Sequence, residues 1–214
     1  FRLEWRLYAF SRNGNLRSDE LMKINRIELI SKSGGLLMRF DEAYSGNVFI
    51  KSHPTYEDAQ AVIYGMPMDW TVSYRPGSRF GPQRIREVSI GLEEYSPYLD
   101  RELEEVKYFD AGDIPLPFGN AQRSLDEIEK YIEKLLADDK IPVGMGGEHL
   151  VSWPVMKAVS AKYDDLAIIH FDAHTDLRIE YEGEPLSHST PIRKIAEHIG
   201  PKNVYSFGIR SGMK

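Results

Sequence analysis

The sequence predicts an α/β fold with a parallel sheet and helices on both faces. Three observations carry this. Short apolar runs alternate with segments of helical periodicity along most of the chain. A glycine-rich loop, Gly144-Met145-Gly146-Gly147, joins one such run to a helical pattern, as a parallel βαβ unit requires. Acidic and imidazole side chains gather just beyond two of the runs, where open α/β sheets build their sites.

The elements follow in order. Ala59 to Gly65 reads as the first strand and Pro82 to Tyr95 as an amphipathic helix. Val106 to Asp110 is a second strand. Ser124 to Asp138 is a helix whose apolar positions, Ile128, Ile132, Leu135 and Leu136, recur at helical spacing, with Asp126 and Glu127 in the first turn where the dipole favours them. Pro142 to Met145 is a third strand. The helix that follows, Leu150 to Tyr163, tolerates Pro154 only near its start. Leu166 to Phe171 is a fourth strand. Pro191 to Ile199 is a helix closed by Gly200-Pro201, and Val204 to Phe207 is a fifth strand.

Composition narrows the function classes. A chain of 214 residues, 42% hydrophobic and 28% charged, is large enough for one α/β domain with a core. A net charge of −6 without a long basic run argues against a nucleic-acid partner. No apolar stretch approaches the roughly 18 residues that span a bilayer. The absence of cysteine excludes disulfides and thiolate chemistry and fits a cytoplasmic setting. Residues 1–37 differ from the remainder, with seven Lys/Arg against four Asp/Glu, leaving 20 against 29 elsewhere. They lack the layout of a signal peptide. With Met38 as a plausible natural start, residues 1–37 read as an N-terminal extension, poorly ordered or non-native, and 38–214 as the α/β domain.

The chemistry concentrates in His170-Phe171-Asp172-Ala173-His174-Thr175-Asp176. In extended backbone Asp172, His174 and Asp176 would point to one face. Two carboxylates and an imidazole suit a divalent cation such as Mn²⁺, with Zn²⁺ or Fe²⁺ as competitors. A polar, solvated strand end is the bland alternative. His149, at the end of the Gly-rich loop, could reach an ion held by Asp172 and Asp176. That loop lacks the lysine of a phosphate-binding loop and the GxGxxG spacing.

With these residues in place, the sequence resembles the ureohydrolases, the family of arginases and agmatinases. Gly146-Gly147-Glu148-His149 and Asp172-Ala173-His174-Thr175-Asp176 match two of the family's three metal motifs in the right order, and Ser187-His188-Ser189 matches the position of its proton-handling histidine. Gly65-Met66-Pro67-Met68-Asp69 and Arg75-Pro76-Gly77-Ser78-Arg79-Phe80-Gly81-Pro82 look like the agmatinase version of its N-terminal region. The resemblance runs from about Tyr56 to Arg210. It implies the arginase/deacetylase-like three-layer fold and a binuclear Mn²⁺ site. His149, Asp172 and Asp176 would hold one ion, and His174 with a bridging Asp172 the other. His188 would be the proton shuttle, and the assembly a trimer or hexamer.

The implied reaction is hydrolysis of agmatine to urea and putrescine. A guanidinium is resistant because resonance makes its carbon electron-rich, and two ions about 3.5–4 Å apart activate a shared water against it. The family's third motif, Asp-x-Asp, does not follow the first two in this sequence. The chain therefore reads as lacking the C-terminal portion, with one ion weak or absent. Asp110-Ala111-Gly112-Asp113 matches a structural part of the family pattern instead.

The run from Arg75 to Pro82 favours agmatinase and so agmatine as the substrate, with carboxylate-bearing compounds as the alternative. Glu180, Glu182 and Glu184 would suit the ammonium tail of agmatine, whereas Arg178 would welcome a carboxylate, as in guanidinobutyrate, formiminoglutamate or arginine. Rival classes are a metal-dependent amidase or deacetylase, and a non-catalytic fragment that assembles with other subunits. Read from the residues themselves, His170 is a hydrogen-bonded core histidine and Glu148 a residue supporting its loop.

Overall fold

The computed structural model describes residues 48–212. In chain order these form β1 (Ala61–Met66), α1 (Gly81–Ser89), β2 (Tyr95–Ser96), β3 (Arg101–Glu102), β4 (Tyr108–Asp113), α2 (Ala121–Ala137), β5 (Ile141–Gly146), α3 (Ser152–Lys162), β6 (Ile168–Phe171), α4 (Pro191–Ile199) and β7 (Val204–Phe207). The extension expected over residues 1–37 lies outside the described residues.

The strands pair as three groups: a parallel sheet in the order β4-β1-β5, a parallel pair β6-β7, and a small antiparallel pair β2-β3. The expected α/β class with parallel strands is therefore what the chain forms. Side-chain alternation along β1 shows the layering. Tyr64 faces α2, its ring 5.4 Å from that of Tyr131. Its neighbour Gly65 faces the other way, where an added Cβ would lie 2.8 Å from Pro82 of α1. Successive residues of a strand point to opposite faces, so helices cover both sides of this sheet.

The core is built mainly on α2. Leu125, Ile128, Ile132, Leu135 and Leu136 recur on one face and are buried, and α3 packs against both α2 and α4. Under the other face Arg86 of α1 is buried and forks onto Asp110 of β4, with Nε to Oδ2 at 2.7 Å and Nη2 to Oδ1 at 2.9 Å. It also donates to Asp113 and to the Gly112 carbonyl. The Asp-Ala-Gly-Asp segment is thus a structural anchor for α1.

Several boundaries differ from expectation. The first helix stops at Ser89, short of Tyr95, with Gly91 just past its end; Tyr95 instead pairs across to Glu102. The second begins three residues earlier than expected, because Asn120 caps it by accepting from the Arg123 N–H. Asp126 and Glu127 consequently fall beyond the first turn. The helix after the Gly-rich loop opens with a 3₁₀ turn, His149–Val151, and Pro154 then sits in the first turn of α3, where it removes no hydrogen bond. α4 and β7 have the predicted limits.

The face of β6-β7 that carries Ile169, Phe171, Tyr205 and Phe207 is open. Ile169 pairs with Tyr205 and Phe171 with Phe207, and all four are more than half exposed, Phe171 by 79%. β5 shows the same character, with Ile141 and Val143 exposed on an edge strand.

Candidate metal centre

Two strand ends build the centre. After β5 the chain must cross the backbone of Met68. The Gly147 N–H donates to the Met66 carbonyl and the Glu148 N–H to the Met68 carbonyl. A Cβ on Gly147 would stand 2.0 Å from the Met68 oxygen, so only glycine permits this approach. The 3₁₀ turn then buries Leu150 completely and leaves the His149 ring facing the end of β6. There Nδ1 of His149 lies 2.6 Å from Oδ2 of Asp176 and 3.6 Å from Oδ2 of Asp172.

Asp172 is held by continued pairing, its N–H donating to the Phe207 carbonyl. Its two oxygens face different partners. Oδ2 looks toward His149 and, at 3.5 Å, toward Nε2 of His170, while Oδ1 is 3.3 Å from Nδ1 of His174 and accepts from the His174 N–H. Burial opposes ionisation of Asp172, but the His174 N–H and the imidazoles of His149 and His170 outweigh it, and the carboxyl is held below the usual range.

The expected alternation is not how Asp176 arrives. β6 ends at Phe171, His174 keeps only an isolated bridge to Ser211, and Asp176 turns through the left-handed region at φ 46°. Aspartate is among the few residues that enter that region readily. The Asp176 carbonyl accepts from the Arg193 N–H, which ties the turn to the start of α4. His174, with 64% of its side chain exposed, lies on the outer side of Asp172.

His170 is more than a core residue. It is 8% exposed, stacked on His149 at 5.3 Å, and hydrogen-bonded through Nδ1 to Ser206 at 3.1 Å. Its Nε2 is buried without a hydrogen-bond partner. His149, His170 and Asp172 offer ligand atoms all within 4.8 Å of one another. The residues present therefore fit a divalent cation by the chemistry of their donor set, converging carboxylates and imidazoles. The signal for His170 was its place two residues before Asp172, in the same strand phase.

His188 rests on the loop that follows β1. Its N–H donates to Oγ1 of Thr71 and its Nδ1 is 2.6 Å from the Thr71 carbonyl. A carbonyl only accepts, so Nδ1 carries the proton and Nε2 is the basic atom. Thr71 is fixed in turn by Glu148, whose Oε2 accepts the Thr71 N–H at 2.9 Å. Burial raises the Glu148 carboxyl above its ordinary value, against the pull of Thr71 and His188. No sequence signal pointed to Thr71, which is 117 residues from His188. Beside it opens a cavity of about 550 Å³ lined by Trp70, Thr71, Asn120, Tyr181, Glu182 and Glu184, among other residues.

A glycine crossing that delivers an imidazole, two aspartates beyond a parallel strand, and a histidine locked by a threonine carbonyl make this an α/β protein with a candidate metal centre. The Arginase family model matches residues 59–214, and the chain belongs to that family. The chain is 82% identical over 177 residues to the agmatinase of Bacillus cereus, a match covering 83% of this chain and 61% of that protein. It is 78% identical to the agmatinase of Bacillus subtilis, again over 83% of this chain and 61% of the relative. Among solved structures, agmatine ureohydrolase of Thermoplasma volcanium superposes with a TM-score of 0.73 at 30% identity, covering 79% of this chain and 57% of that one. The chain thus spans about three fifths of the length of the curated relatives it matches. Among the described residues no helix is long and apolar enough to cross a membrane.

Proposed function

We propose that the chain carries the metal centre and proton-handling histidine of an agmatine-hydrolysing enzyme, releasing urea and putrescine. The observation that carries this reading is the meeting of His149 with Asp172 and Asp176 at the ends of β5 and β6. Names borne by relatives at 82% and 78% identity support the substrate.

His149, Asp172 and Asp176 would hold one Mn²⁺, and Asp172 with His174 a second. Three protein ligands retain an ion; two hold one weakly, so the chain binds about one ion tightly. When bound, the metal supplies Lewis acidity and a lowered water pKa. In the net reaction water adds its oxygen to the guanidinium carbon, the bond from that carbon to the alkyl nitrogen breaks, and the departing amine takes a proton. Protonated on both nitrogens, His188 would give up the Nε2 proton, since the Thr71 carbonyl retains the one on Nδ1. The cavity beside Thr71 would accept the ammonium tail, with Glu182 and Glu184 in its wall and no Lys or Arg lining it. Catalysis by this chain, cytoplasmic location and assembly as a homo-oligomer belong to the same reading.

A second reading has one observation in its favour. The Arg178 guanidinium lies 5.2 Å over the ring of Tyr181, a cavity residue, and would suit a guanidino compound ending in a carboxylate. Urea release from agmatine, arginine and guanidinobutyrate in Mn²⁺ decides between them. Agmatine is expected to be turned over fastest. Preference for guanidinobutyrate would select the second reading, and no urea from any of the three would reject both.

A further inference from the structure

We infer that His170, set by Ser206, is a positioning residue that orients the Asp172 carboxylate for metal binding. The inference rests on the metal-centre reading above and adds residues to it. His170 lies on β6 and Ser206 opposite it on β7, in register. His170 is 8% exposed, and its Nε2 is shut off from water.

The geometry points to one tautomer of the ring. Nε2 makes no hydrogen bond, and the carboxylate oxygen nearest to it in the site is Oδ2 of Asp172 at 3.5 Å. An ionised carboxylate can only accept. If Nε2 presented a lone pair, two acceptors would face each other in a buried setting, and the nitrogen would bear the cost of an unmade bond. A proton on Nε2 removes both penalties. Nδ1 is then the acceptor, and the Ser206 hydroxyl, 3.1 Å away, donates to it. The inferred donor line runs from Ser206 through His170 toward Asp172, across two strands and into the site. A shortening of a few tenths of an ångström makes the last contact a full hydrogen bond.

The consequence is directional. With Oδ1 already accepting the His174 N–H, a donor at Oδ2 fixes the plane of the carboxylate from both ends. Oδ2 then presents its remaining lone pair toward His149, where the ion would sit. Groups that hold a ligating carboxylate this way typically affect metal affinity by about 10–100-fold.

The test is Mn²⁺ titration of the chain and three variants, following the free-ion electron paramagnetic resonance signal, with thermal melting to confirm folding. His170→Leu is expected to weaken binding by about 10–100-fold. His170→Gln, whose amide nitrogen can reach the place of Nε2 and donate, is expected to recover most of that loss. Ser206→Ala, at an exposed position that folding tolerates, is expected to weaken binding in the same direction by freeing the imidazole to carry its proton on Nδ1. Unchanged affinity in His170→Leu or Ser206→Ala overturns the inference. Equal loss in the Leu and Gln variants also overturns it, assigning His170 as a direct ligand. Failure of the unsubstituted chain to bind Mn²⁺ would remove the metal-centre reading itself, and this role with it; normal binding with unmoved variants removes only the role of His170.

Discussion

Single side chains differ sharply in what they hold. Arg86 is the clearest case: its side chain is 6% exposed and that of its partner Asp110 is fully buried. Burial alone would lower its affinity for a proton, but the hydrogen bonds it donates to Asp110 and Asp113 prevail and raise it. Arg86→Met would strand Asp110 as an uncompensated buried charge, and a loss of about 3–5 kcal/mol is expected in urea denaturation. His188 should behave in the opposite way. On the proposed chemistry, His188→Asn lowers urea release by about 10²–10⁴-fold while Mn²⁺ affinity and melting temperature stay near those of the unsubstituted chain. An equal loss of metal affinity would show His188 acting on the ion and not on the amine. Asp176 combines a ligand role with an unusual backbone, so Asp176→Asn keeps the left-handed turn and isolates the effect of its charge.

At the level of elements, the limits that were legible are those written in local chemistry. α4 could be read to the residue because Pro191 starts it and Gly200-Pro201 ends it. α2 could not. Ser124 resembles a cap in sequence, but its hydroxyl donates back to the Asn120 carbonyl from inside the helix, and Asn120 is the true cap. Asn120→Ala should therefore cost about 1 kcal/mol in chemical denaturation, as loss of an N-cap does. Ile132→Ala, at a site of zero exposure on the same helix, should cost about 2–5 kcal/mol. The candidate centre was legible to a similar depth. Alternating acid and imidazole residues exposed Asp172, and the glycine loop exposed His149. The approach of Asp176 was not readable, because a left-handed turn replaces the strand there. Thr71 was not readable either, since its link to His188 exists only through tertiary contact.

For the molecule as a whole, a bound ion would join pieces that pairing leaves separate. His149 follows the three-stranded sheet, while Asp172 follows the β6-β7 pair, so a cation shared by them couples the two. Mn²⁺ at about 100 times its dissociation constant should add about 2.7 kcal/mol to stability. A chelator should reverse this in a thermal melt, and a melting temperature indifferent to both would count against a folded-state ion site. The split has a further outcome in time. β1 is flanked on both sides by partners and covered by helices on both faces, whereas among the described residues β6 and β7 pair only with each other and carry an open apolar face. Amide protons of Val62 and Tyr64 should resist deuterium for far longer than those of Ile169 and Tyr205, because opening free energies follow local packing. Three of the four candidate ligands, Asp172, His174 and Asp176, therefore ride on the segment that breathes first.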